Sequence, residues 1–64
     1  MMSDLFGEVV RDVIAGADYP ANRDNLVLYA QDRGAETVVI EALGRIPDRS
    51  YDSADEVVVE VVNV

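Results

Sequence analysis

Sixty-four residues carry thirteen acidic side chains against five basic ones, a formal net charge of −8, and half of them are apolar. A chain of this length makes one small domain that buries only about 60% of its unfolded surface, so a modest stability is expected. Cysteine and histidine are absent, which excludes disulfides and the usual zinc and haem sites.

All five basic residues are arginine. The acidic residues are spread along the chain rather than gathered in one tract, which favours a solvated surface over a dedicated basic partner or mimicry of nucleic acid. The same charge disfavours direct binding to nucleic-acid phosphates. No apolar run approaches the roughly 18 residues of a membrane span, and the opening MMSDLFGEVV lacks a basic segment followed by an apolar one. A soluble, cytoplasmic protein with no membrane contact is expected.

From Asp4 to about Gly16, apolar residues fall at Leu5, Phe6, Val9, Val10, Val13 and Ile14, with Ala17 just beyond. That spacing predicts a helix with a broad apolar stripe. Asp4, Glu8, Arg11, Ala15 and Asp18 share the other face. Ser3 is the expected N-cap, and Asp4 suits the positive end of the helix dipole. Gly7 and Gly16 each weaken the helix by up to about 1 kcal/mol relative to alanine.

The stretch from Ala17 to Ala35 holds a stop, a start and a second stop. Pro20 has no N–H and pushes Tyr19 out of the helical region, so the first helix must end near Gly16–Asp18. Asn22 reads as the N-cap of a second helix, about Arg23 to Arg33. Ala21 and Leu26 flank it at hydrophobic-staple spacing. Gly34 stands where a left-handed residue closes a helix. Leu26, Val27 and Ala30 turn inward, whereas Leu28 has no obvious place in a small core.

A third helix, about Glu36 to Ile46, turns Val39, Ala42, Leu43 and Ile46 inward and Glu41 and Arg45 outward, and Pro47 ends it. The last segment is ambiguous. Val57, Val58, Val59, Val61, Val62 and Val64 favour a strand. Ser53 followed by Glu56 forms a capping box, and a lone strand would have no partner in this chain, so a helix from Ala54 to about Val62 is expected instead. The predicted fold is therefore all-α: residues 1–64 form a single domain, a compact bundle of four short helices arranged as two proline-interrupted helix hairpins.

The ordered set Tyr19, Pro20, Ala21, Leu26, Ala30, Gly34, Ala35, Ala42, Leu43, Pro47, Asp48, Tyr51 and Ser53 resembles a small prokaryotic family, domain of unknown function 2795, common in actinobacteria and haloarchaea. The family pattern is a Tyr-Pro-Ala turn, a capped helix, a Gly-Ala break, a helix ending in Leu-Pro-Asp, then Tyr-x-Ser before a last helix. The likeness runs from about Val13 to Val59. It implies a small helical fold, no known activity, and no catalytic or ligand residues to carry over. Leu28 and Val38 stand where family members more often carry polar residues, and Val58 and Val59 are more apolar than usual.

Asp48, Asp52, Asp55 and Glu56 form a dense carboxylate cluster, but without the central glycine and ligand spacing of a calcium loop. The absence of His, Cys and Lys removes the usual activators of a nucleophile, and a bundle this small has little room for a pocket of roughly 300 Å3. No enzyme activity, cofactor, metal or small-molecule ligand is expected. Tyr19 and Tyr51 sit beside the proline turns, where each ring is expected to close an end of the bundle with its hydroxyl in water. Helices two and three could pass for a helix-turn-helix, acting on DNA as a dimer or with a basic companion. The reading favoured by the surplus of apolar residues is a non-catalytic interaction or regulatory module. Its self-association or protein-partner surface would hold Leu28, Val38, Val58 and Val59, with Tyr19, Pro20, Asn22, Gly34, Pro47 and Ser53 as structural turn and cap residues.

Overall fold

The computed structural model describes residues 2–63, with side chains from Leu5 onward. Its four helices are α1 (Met2–Ile14), α2 (Arg23–Asp32), α3 (Thr37–Gly44) and α4 (Ala54–Asn63). The fold is an all-α bundle with a Cα radius of gyration of 10.2 Å, close to the ~10.7 Å expected of a compact chain this long. Because α1 opens at Met2, Ser3 stands inside the helix rather than before it. The side-chain roles expected of Ser3 and Asp4, and the place of Val64, lie outside the described residues.

Local punctuation sets the helix boundaries. The Asn25 N–H donates to Asn22 Oδ1 at 2.9 Å, so Asn22 caps α2 as its type and position require. At the other end Gly34 has φ +75. The Ala35 N–H reaches the Ala30 carbonyl and the Gly34 N–H reaches that of Gln31, both at 3.0 Å. This is the paired closure of a Schellman motif, and it satisfies two carbonyls that the helix end would otherwise leave open. Helix α3 stops at Gly44, ahead of the conformational restriction that Pro47 imposes on its neighbour. The valine-rich segment is helical, with Val57 and Val61 buried one turn apart. Its reach-back differs from a capping box, because Glu56 Oε1 accepts from the Asp52 N–H (3.3 Å), one residue ahead of Ser53.

The helices do not pair mainly within the proline hairpins. Helix α1 packs most extensively on α4, and α2 on α3. Gly7 explains the first pairing: a Cβ there would lie 3.3 Å from Val58 Cγ1 and 3.5 Å from Val62 Cγ1, so the missing side chain lets α4 approach. What weakens α1 as an isolated helix therefore brings two helices together. The proline turns are joined to each other instead, by a single antiparallel bridge between Ala21 and Tyr51.

Val10, Ile14, Leu26, Ala30, Val39, Leu43, Ile46, Tyr51, Val57 and Val61 form the core with Ala21, and no described polar or charged residue is buried among them. Of the broad α1 stripe, only Val10 and Ile14 are fully enclosed, while Phe6, Val13 and Ala17 are half-buried. Leu5 and Val9 are exposed. Ten-residue helices α2 and α4 are too small a cover for an apolar arc that wide.

Candidate functional site

The two tyrosines beside the prolines are structural. The Tyr19 hydroxyl donates to the Ile14 carbonyl at 2.8 Å, satisfying an acceptor at the open end of α1. Tyr51 is completely buried, and its hydroxyl donates to the Pro47 carbonyl at 2.6 Å. Tyr51 is thus closed off from water, contrary to the expectation from sequence, because its ring folds back under its own turn, whereas the half-buried Tyr19 keeps solvent contact beside its backbone partner. Burial pushes both phenols above their ordinary value of 10.0. For Tyr51 the Arg49 guanidinium, 4.2 Å above the ring centroid, opposes that shift.

Three of the four clustered carboxylates are dispersed among three arginines. Asp55 pairs with Arg11 of α1 at 2.8 Å, Asp48 with Arg23 at 3.7 Å, and Glu56 with Arg49 at 3.7 Å. Arg49 also meets Glu60 at 3.5 Å. Among the described residues no three acidic side chains gather closely enough to hold a metal ion. These pairs are solvent-exposed, and each contributes about 0.2–1 kcal/mol at most.

The apolar residues outside the core are more informative. Leu5 is 69% exposed, Leu28 63%, Val59 55%, Val38 53%, Val9 47% and Val62 46%. Val58 is not among them: it is half-buried against the core and against Gly7, so it belongs to the α1–α4 contact and leaves the predicted surface. Among the described residues, Leu28 and Val38 border different depressions. Leu28 borders depressions shared with Val27 and Gly44 on one side and with Ala17 and Tyr29 on the other. Val38 shares a groove of about 280 Å3 with Phe6, Ala42, Val61 and Val62, rimmed by Glu41 and Arg45.

A second groove, of about 440 Å3, is lined by Val9, Val13, Ala35 and Val39 and rimmed by Asp12, Arg33 and Glu36. Phe6 and Val9 lie one turn apart on α1, and Ala42 and Val39 lie one turn apart on α3, with one member of each pair in each groove, so the two grooves adjoin. Together they form an apolar strip across α1, α3 and α4. Both are open to solvent and enclose no ligand-shaped volume. Sequence reasoning found Val38 but missed Val9 and Val62 as members of this strip. The available signal was the width of the α1 stripe, which exceeds what one neighbouring helix can cover.

No described helix is long and apolar enough to cross a membrane. Searches of curated proteins and of solved structures returned no match. Residues 9–58 match the family model described as "Protein of unknown function (DUF2795)". That span takes in the Tyr19-Pro20-Ala21 turn, the Gly34 break, and the segment from Pro47 to Ser53 that the bridge and the Tyr51 hydroxyl hold together. It covers well over half of the residues, and the chain belongs to this family of proteins of unknown function.

Proposed function

We propose that the chain is a small, non-catalytic interaction or regulatory domain of the cytoplasm, working through its exposed apolar strip. The observation that carries this reading is that Val9, Val38 and Val62 stay at the surface although the core beneath them is already closed. Exposed side chains of this kind contribute little to folding, whereas contiguous apolar surface is what association uses. A DNA-associated helix-turn-helix has no comparable support, because α3 carries no cation between Thr37 and Gly44 to meet phosphate.

The test is affinity capture at the ionic strength of the native cell, with Val38→Arg as the matched control. The expected result is a stoichiometric companion, a second copy included, that the wild-type chain retains and the variant loses. An identical set of captured proteins for both chains would contradict the reading.

A further inference from the structure

We infer that the occupant of the apolar strip is a second copy of this chain, related by a twofold axis. This rests on the proposed interaction role and names its partner. The argument is the charge around the strip. Arg11, Arg23 and Arg49 are each paired with carboxylates of their own chain. Arg33 and Arg45, at the rims of the two grooves, make no ion pair among the described residues, and neither do Asp12, Glu36 and Glu41 beside them. The strip is thus bordered by unpaired groups of both signs, nearly balanced, on a molecule whose net charge is −8.

A twofold interface that closes with ion pairs must carry both signs on one patch, since each copy supplies both halves of every pair, and this rim does. A uniformly basic partner would bring like charge against Arg33 and Arg45 and would find most of the acidic surface elsewhere.

Like-charged bodies joined through an apolar face associate more tightly as salt screens their repulsion, whereas an acidic chain holding a basic partner is weakened by salt. Sedimentation equilibrium of the pure chain at about 0.05 M and about 1 M salt reads this sign directly. The expected mass rises from 7.0 kDa toward twice that value with concentration, and the dimer tightens several-fold in the higher salt.

Two charge variants then locate the interface. One carries Arg33→Glu and Arg45→Glu; the other carries Asp12→Arg, Glu36→Arg and Glu41→Arg. The double glutamate variant alone should dimerise roughly tenfold more weakly than wild type, and an equimolar mixture of the two variants should recover association, with circular dichroism confirming that both are helical. Recovery in the mixture cannot come from a misfolded variant. A wild-type chain that remains monomeric at about 1 mM in both salts overturns the inference, as does dimerisation that the charge variants leave unchanged. A monomer that still captures another protein through Val38 overturns only the second copy and leaves the interaction role standing.

Discussion

Ala21 and Tyr51 exchange two backbone hydrogen bonds, 3.0 and 2.8 Å long, across the gap between the two proline turns. The Ala21 N–H donates to the Tyr51 carbonyl and the Tyr51 N–H donates to that of Ala21. Both residues are in the core, so each bond satisfies backbone groups that water cannot reach. The bridge fixes where α2 and α4 begin relative to one another, since Ala21 directly precedes the α2 cap and Tyr51 lies just ahead of α4.

Tyr51 therefore does two jobs, filling the core with its ring and closing the Pro47 turn with its hydroxyl. Tyr51→Phe keeps the first and orphans the Pro47 carbonyl, and should lower stability by about 1–2 kcal/mol. Tyr51→Ala removes the ring as well and should cost about 3–5 kcal/mol, enough to unfold a domain this small. Urea denaturation followed by circular dichroism separates the two variants. Equal losses would show that the ring contributes nothing beyond the hydroxyl.

The raised tyrosine values imply an alkaline limit to stability. A phenol whose folded value lies above its unfolded value of 10.0 favours the native state fully below that pH. The contribution is lost as pH rises through the folded value, because the unfolded chain then gives up the proton more readily. The thermal midpoint should fall on raising the pH past 10.0, and less steeply in Tyr51→Phe, which has lost one of the titrating groups. A midpoint independent of pH across that range would contradict the burial of both phenols.

Two glycines with empty space around them should respond in opposite ways. A Cβ at Gly34 or at Gly44 would meet nothing within 4 Å, so backbone conformation alone decides. Gly34 is left-handed at φ +75, and Gly34→Ala should destabilise by about 1–2 kcal/mol. Gly44 is the last residue of α3, and Gly44→Ala should stabilise by up to about 1 kcal/mol. Chemical denaturation of the pair gives both signs in one experiment, and a shared sign would refute the turn assignment.

Much of this fold was legible in the residues, since Asn22, Gly34 and the two prolines act through short-range chemistry that needs no knowledge of the partner helix. The helical state of the valine-rich segment was legible for the same reason: the polar residues ahead of it and the lack of a partner strand outweigh valine's propensity. Tertiary facts were less accessible. Gly7 looked like a defect because its value is realised only when Val58 comes within van der Waals reach. Val58 looked like surface for the mirror-image reason. Tyr51 was misplaced because its hydroxyl partner is a carbonyl four residues back, a loop geometry that spacing does not reveal. Leu28 and Val38 were recognised as surplus to the core, but which exposed residues adjoin depends on the α1–α4 and α2–α3 pairing.

The most direct test of the apolar strip as a contact between copies is the concentration dependence of unfolding. Association stabilises a native state by mass action, so the urea midpoint of the wild-type chain at high salt should rise as protein concentration increases. Val38→Arg places a charge at an exposed position outside the core, so the variant should unfold at the wild-type chain's dilute midpoint and show no dependence on concentration. A wild-type midpoint that stays constant, or a variant already destabilised at low concentration, would contradict the account.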